Sequence, residues 1–514
     1  MVLPLGRRPC CKEQARRLRR WAWRNALTPS GSPRILRALD RPTQVLRGGV
    51  RPWEGGRWNR SCSLIHSKMG DLTGTKARRR PIGAGVPPEP AVRPMLGWVL
   101  AGGGARGAYE VGVCGYLFDR IARDLGRPLP TDIVSGTSVG ALHASALSAG
   151  IDDPTSALRY LAERWTSLEL PDVVRVDRRR TFNMLRALFG RPPRHPTLDV
   201  AGGGVLDPRP LEKLLSSSIQ FRRIQNHIAA GRLTALSLSA THVGSGSTTV
   251  FYQCADHMPP LAARSRTRYQ RVTIGAGHAM ASAAIPFVFP AVPIEGELFC
   301  DGSLRQHVPL SPAVRFGAEA LIVINPKGPV TNGPALQSRE RAFAGPVFLL
   351  GKTLNALTLD RVDGDIEQLE RINRVLEAGT RRFGSDFVAH LNGALGAVGD
   401  LPLRTVSLLN LQASEDIGAL AAAFVRSKRF RGRRGLLSRA FARLAEGEGQ
   451  TEADLLSYLL FDSHFTSELI ALGRRDAEKR REEILTFFTT LLERRAQADA
   501  NNAEERSGHP APPR

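Results

Sequence analysis

Between residues 96 and 149 the chain twice repeats one local pattern: a short apolar run, a cluster of glycines, then apolar residues at helical spacing. Leu96-Gly97-Trp98-Val99-Leu100-Ala101 runs into Gly102-Gly103-Gly104, and Val111, Cys114, Leu117, Phe118 and Ile121 then mark one face of a helix from Gly107 to about Asp124. Asp132-Ile133-Val134-Ser135 runs into Gly136-Thr137-Ser138-Val139-Gly140, and an alanine-rich helix follows over Val139–Ala149. Apolar runs this short, bounded by glycine, read as buried strands. Strand, helix, strand, helix demands a mainly parallel sheet covered by helices, an α/β fold. Further strands are predicted at 233–240, at 248–253 after the turn Gly244-Ser245-Gly246, and at 320–325. Beyond residue 330 the pattern reads mostly helical, over 354–378, 417–425 and 455–492.

Composition sets the limits. The chain has 514 residues, 42% hydrophobic and 23% charged, enough for a substantial core, which excludes a wholly disordered chain. The net charge of +24 points at first to nucleic acid or an anionic membrane. Its distribution argues otherwise: residues 1–93 hold 21 Lys+Arg against 5 Asp+Glu, a balance of +16, and the remaining 421 residues carry only +8. The expected organisation is a basic, disordered extension (1–93), an α/β domain (94–330), a mostly helical region (331–495) and a polar disordered tail (496–514). For the extension the favoured reading is a region outside the working protein, with Met69 or Met95 as the start. A basic disordered arm and an organellar transit segment are the alternatives. Six scattered cysteines form no Cys-x-x-Cys pair and no zinc-spaced cluster, so no metal site and a reducing, cytoplasmic location are expected. No apolar run reaches the ~18–20 residues of a membrane span, and no secretory signal core follows the N-terminal arginines.

Three segments carry chemistry. Gly102-Gly103-Gly104-Ala105-Arg106-Gly107 follows a strand and opens a helix, so its backbone N–H groups face an anion, either a dinucleotide pyrophosphate or a transient oxyanion. Gly136-Thr137-Ser138-Val139-Gly140 is G-x-S-x-G in a strand–turn–helix setting, the context of a nucleophile elbow. A serine nucleophile needs a base. His143, His278 and His307 are candidates, but none stands where a Ser…Asp…His order would put it, and His143 reads as a packed helix histidine. Phe299-Cys300-Asp301-Gly302-Ser303 instead delivers an aspartate from a strand end into a glycine turn.

Together these pieces resemble the patatin-like phospholipase family, which combines a glycine-rich oxyanion loop, a G-x-S-x-G elbow and a D-G-[AG] turn. A fourth segment, Ala281-Ser282-Ala283-Ala284-Ile285-Pro286-Phe287-Val288-Phe289-Pro290, resembles the family's block before the aspartate strand. The resemblance covers about residues 96–326. It extends weakly to helices like those of larger bacterial members, with Leu456-Ser457-Tyr458-Leu459-Leu460-Phe461-Asp462 the best piece. It implies a three-layer α/β/α fold and a Ser–Asp dyad without histidine: Ser138 as nucleophile, Asp301 as general base. It further implies an oxyanion hole from Gly102, Gly103, Gly104 and Ala105, with Gly107, Gly136, Gly140 and Gly302 as motif glycines. Arg106 has two readings, fixing the loop or meeting a phosphate headgroup. One departure is Ser303 in place of Gly or Ala, whose hydroxyl stands in reach of the Asp301 carboxylate and would lower its basicity.

The implied activity is hydrolysis of acyl esters of phospholipids or related lipids, without metal, cofactor or nucleic acid. The alternative is an inactive patatin-like scaffold that binds lipid or a partner. The basic and apolar mixture in Arg175–Arg194, and the basic run Arg426–Arg434, suit peripheral contact with an anionic membrane. An oxidoreductase would leave the serine and aspartate motifs unexplained.

Overall fold

Eleven strands are present among the described residues, and those at the centre of the main sheet are apolar because both of their faces are buried. In chain order they are β1 (Met95–Leu100), β2 (Ile133–Thr137), β3 (Arg175–Val176), β4 (Leu206–Asp207), β5 (Ala235–His242), β6 (Thr248–Cys254), β7 (Thr267–Arg271), β8 (Val292–Ile294), β9 (Glu297–Asp301), β10 (Ala318–Asn325) and β11 (Ser407–Gln412). These belong to a computed structural model that describes residues 93–173, 175–176, 206–263, 266–286, 288–328, 346–396, 402–427, 430 and 456–507. The basic extension up to residue 92, most of Arg175–Arg194 and most of Arg426–Arg434 therefore lie outside the described residues.

The main sheet runs β11-β10-β1-β2-β5-β6-β7, with β8 and β9 attached through β5; β3 and β4 form a separate pair. Neighbours from β11 to β5 are all parallel, and β6/β7 is parallel too, whereas β5/β6, β5/β9 and β8/β9 are antiparallel. The sheet is mostly parallel, as the alternating pattern requires. Its helices are α1 (Gly107–Tyr116), α2 (Val139–Ala149), α3 (Pro154–Ser167), α4 (Arg209–Ser218), α5 (Phe221–Ala229), α6 (Ala276–Ala283), α7 (Leu310–Arg315), α8 (Pro346–Phe383), α9 (Phe387–Gly396), α10 (Ile417–Arg426), α11 (Ser463–Lys479) and α12 (Arg481–Ser507). A π turn, Leu117–Ile121, carries α1 on to Asp124.

Strand alternation divides the core into layers. Trp98, Leu100, Val134, Leu236 and Ile322 face the side covered by α1, α2, α3, α11 and α12. Val99, Ile133, Leu321 and Val323 face the other side, beneath Leu310 and Ala313 of α7, Phe316, and Ile366 of α8. Trp98 stacks on Phe118 at 4.7 Å and lies 6.4 Å from Phe488 of α12, so a C-terminal helix completes the main core. Each such buried side chain contributes about 1.5–3 kcal/mol.

Two expectations need correction. The region after 330 is mostly helical as expected, and β11 adds one strand that extends the parallel sheet beside β10, from Ala320↔Ser407 to Asn325↔Gln412. Its short Leu-Leu-Asn-Leu core gave too little periodicity to separate from helix. The stretch 455–492 is not one helix. Asp462 accepts from the N–H groups of His464 and Phe465 and caps α11, which starts a new axis. The tail from Ala496 continues as helix α12 to Ser507. Arg495 donates to the Pro94 carbonyl and pairs with Asp132, and Ala498 is buried, so tertiary contacts hold a segment whose polarity alone read as disorder.

Candidate active site

Sheet topology brings the serine and aspartate motifs together. β2 leaves the sheet at Thr137, which pairs with Ser239 of β5. The next residue of β5, Ala240, pairs instead with Asp301, because β9 enters the vacated slot from the opposite direction. Two strand ends therefore meet head to head beside β5, one releasing Ser138 and the other Asp301. The Ser138 hydroxyl donates to Asp301 Oδ2 at 2.6 Å, and both residues are 3% exposed.

Ser138 adopts φ 56°, ψ −126°, an unfavourable conformation for a non-glycine residue, with α2 starting at the next position. Its N–H donates to Ser282 Oγ at 3.0 Å, and Ser282 Oγ donates to the Ser239 carbonyl at 2.6 Å. Ser282 ties the elbow to β5. Sequence reasoning included it in the fourth motif without giving it a role.

The motif glycines are there for space. A Cβ on Gly140 would lie 2.3 Å from the Leu100 carbonyl oxygen, one on Gly136 2.2 Å from the Gly140 oxygen, and one on Gly302 2.1 Å from the Ser239 oxygen. A Cβ on Gly107 would meet Val139 Cγ2 at 2.6 Å. The two glycine-rich loops and the aspartate turn thus pack backbone to backbone. Gly104 has φ +55° and presses on the Tyr458 carbonyl, which would lie 2.3 Å from an added Cβ.

The loop Gly102–Gly107 opens a 3-10 turn, Gly104–Arg106, that leads into α1, with no side-chain cap at Gly103. First-turn N–H groups have no acceptor within their own helix. Two assignments here are corrected. The Gly102 N–H already donates to the His307 carbonyl at 3.1 Å, so Gly102 gives closeness and not a donor. Arg106 is 4% exposed; its Nε donates to Ser457 Oγ at 2.6 Å and its guanidinium lies 4.4 Å from the Tyr458 ring centre. That fits the loop-fixing reading and turns Arg106 away from a headgroup.

Burial pushes Asp301 up to about 6, partly offset by the Ser138 hydroxyl and by Ser303, whose N–H donates to Oδ1 at 2.7 Å. The Ser303 amide and, more weakly, its hydroxyl both act to lower the Asp301 pKa, and the hydroxyl also lies against Gly102. Two of the three candidate histidines are committed elsewhere, and the third, His307, is buried beside Gly102 with no hydrogen-bond partner at Nδ1. His143 Nδ1 meets Glu110 Oε2 at 2.7 Å, and its Nε2 accepts from Trp165 at 3.0 Å. Burial lowers its pKa to about 3 and raises that of Glu110. His278 Nδ1 accepts from the Gly275 N–H in its own helix. Burial takes His307 down to about 3, with Arg106 and Lys327 adding to the effect.

An apolar cavity of about 440 Å³ lies between α2, α3 and α4, lined by Gly104 and Ser138 together with Leu142, Trp165, Leu215, Phe289, Leu459 and Phe461. A pocket of this size and lining accepts a hydrocarbon chain. Sequence did not reveal it, because its walls come from segments far apart in the chain. Among the described residues no cluster of His, Cys, Asp or Glu could hold a metal ion, and no helix is long and apolar enough to cross a membrane.

A family model described as patatin-like phospholipase matches residues 98–314. Comparison with curated proteins returns no match. Among solved structures, VipD from Legionella pneumophila is similar at 14% identity, over 74% of this chain and 67% of VipD, with TM-score 0.30. Human GIVD cytosolic phospholipase A2, in complex with methyl gamma-linolenyl fluorophosphonate, is similar at 12% identity over 79% of this chain and 60% of that one, with TM-score 0.33. The type III effector protein ExoU matches at 15% identity over 69% and 78%, with TM-score 0.22. None of the three overlaps closely enough to carry a residue correspondence.

Proposed function

The chain carries a patatin-like phospholipase domain at residues 98–314, and from that premise we propose that it is a lipid acyl ester hydrolase working through Ser138 and Asp301. The observation that carries this reading is the 2.6 Å hydrogen bond to a buried carboxylate from Ser138, which lines an apolar cavity. Ser138 Oγ attacks the ester carbonyl as its proton passes to Asp301 Oδ2. N–H groups of the Gly103–Ala105 turn take the oxyanion, each worth about 10²–10³ in rate. Asp301 then protonates the departing alcohol, leaving an acyl-serine. Water attacks that acyl group, Asp301 accepts its proton, and collapse returns the proton to Ser138. The acyl chain occupies the cavity throughout, and about 0.8 kcal/mol per buried methylene favours fatty esters over short ones.

The raised Asp301 pKa suits a base. A carboxylate near 4 is a weak proton acceptor, whereas one near 6 is stronger and still largely ionised at neutral pH. The substrate class is a fatty acyl ester of a phospholipid or lysophospholipid presented at a surface. The test is hydrolysis of p-nitrophenyl esters and release of fatty acid from phospholipid vesicles by the full chain, with Ser138→Ala beside it. Hydrolysis of both, lost in the variant, is the expected result. Folded wild-type protein that hydrolyses neither overturns the reading in favour of a non-catalytic lipid-binding scaffold.

A further inference from the structure

The segment Leu456–Asp462 lies more than 300 residues after the serine in sequence, yet it touches both halves of the site. At one end the Tyr458 carbonyl rests on Gly104, so close that a Cβ there would meet it at 2.3 Å. Ser457 Oγ accepts from Arg106 Nε, and the Tyr458 ring lies under the Arg106 guanidinium at 4.4 Å. The turn that opens α1 is thus held from outside by a hydrogen bond, a cation–π contact and a backbone contact. At the other end Leu459 and Phe461 enter the wall of the acyl cavity, and Phe461 stacks on Trp165 at 6.0 Å. Leu456 and Leu460 are buried in the core, and Asp462 caps α11. The segment is fixed at both sides of the residues that face the site. Thr466 Oγ1 donates to the Trp165 carbonyl at 2.7 Å, and close contact of Gly112 with Ile470 and of Gly473 with Tyr109 seats α11 on α1. The strap and the oxyanion turn therefore share one rigid support.

We propose that this C-terminal strap is a working part of the site: Phe461 sets the acyl chain length that is accepted, and the Arg106–Ser457–Tyr458 clamp positions the oxyanion turn. The proposal rests on the acyl hydrolase reading and adds a specificity-determining residue and positioning residues from outside the 98–314 domain. Phe461 reaches the cavity beside Trp165, which is itself held by His143, so the aromatic wall cannot retreat as a longer chain enters. Shortening Phe461 lengthens the cavity, and enlarging it shortens the cavity. Arg106 acts on the turn and not on the substrate, so its loss affects the chemical step for every chain length alike.

The experiment measures kcat and KM for p-nitrophenyl butyrate, octanoate and dodecanoate with wild type, Phe461→Leu, Phe461→Trp, Arg106→Met and Arg106→Lys. Circular dichroism and melting temperature establish that each variant is folded. Phe461→Leu is expected to raise the dodecanoate-to-butyrate ratio of kcat/KM, and Phe461→Trp to lower it, each by about tenfold. Arg106→Met is expected to lower kcat about 10²-fold for all three esters with KM nearly unchanged, and Arg106→Lys, which keeps the cation over Tyr458, to recover part of it. A purely structural role would move neither the chain-length ratio in opposite directions nor kcat apart from KM. Folded Phe461 variants with the wild-type chain-length profile, or a folded Arg106→Met with wild-type kcat, overturn the proposal while wild-type hydrolysis keeps the function. Wild type inert on all three esters overturns both.

Discussion

Asp301 has left water, and the Ser138 hydroxyl and the amide and hydroxyl of Ser303 replace only part of what its carboxylate lost; this is why its pKa stands near 6. Two consequences follow from that one number. A base must be ionised to accept a proton, so kcat/KM is expected to rise with pH through about 6 and then level off. A profile flat from pH 5 to 8 would contradict the role of Asp301. The same shift makes the site a cost to stability. The folded carboxyl holds its proton more tightly than the unfolded one, so ionisation between about 4 and 6 favours unfolding, by about 3 kcal/mol once complete. Asp301→Asn removes that cost. It is expected to lower kcat by on the order of 10⁴-fold and to melt higher than wild type, with a gap that widens from pH 4 to pH 7. Denaturation at both pH values checks this; a gap that shrinks with rising pH would contradict it. The placing of Ser138 and Asp301 at strand ends was legible in the sequence, because G-x-S-x-G and Asp-Gly each sit after an apolar run. The burial that shifts Asp301 was not, since it depends on β9 and β5 pairing across Ala240 and on the Ala284 carbonyl and Thr241 hydroxyl bonding the Asp301 main chain.

At the scale of elements, the site is a junction of strand ends and helix starts. β2 and β9 stop where they do because Gly136 and Gly302 let backbone pass within van der Waals contact of backbone. Gly140→Ala tests this most simply. Its methyl group would fall 2.3 Å and 2.5 Å from the Leu100 and Ala101 carbonyl oxygens, main-chain atoms at the end of β1 that cannot rotate away as a side chain would. A loss of about 1–3 kcal/mol in denaturant unfolding is expected, with activity falling as β1 and α2 are pushed apart. Unchanged stability would mean that the contact is looser than described. Element boundaries were readable where glycine or a change of period marked them: α2 was predicted over its observed span. They were not readable at β11, whose Leu408, Leu409 and Leu411 carry too short a pattern to exclude helix. The cavity was also invisible to sequence, because Leu142, Trp165, Leu215 and Phe461 share no local signal.

For the whole molecule, the region after 330 is integral to the α/β body. β11 lengthens the sheet, Phe488 fills the core beside Trp98, and Arg495 joins α12 to both Pro94 and Asp132 at the start of β1 and β2. The Asp132 carboxylate also accepts from the Leu96 N–H at 2.7 Å, so Arg495 balances a charge that organises two strands. Arg495→Ala is expected to cost about 2–4 kcal/mol, because it leaves Asp132 without its cation in a largely buried place. A change below about 0.5 kcal/mol in chemical denaturation would show that α12 is peripheral. Most of the excess positive charge lies in residues 1–93, and Arg106 is turned inward onto Ser457.

The central claim is that Ser138 is a nucleophile activated by Asp301 alone. Its most direct test is the mass of the protein after brief exposure to an alkyl fluorophosphonate, with the adduct located by peptide mapping. One adduct on the peptide carrying Ser138 is expected, absent in Ser138→Ala, formed at least 10²-fold more slowly in Asp301→Asn, and formed at the wild-type rate in His278→Ala. An adduct on another residue, or one that persists in Ser138→Ala, would contradict the claim.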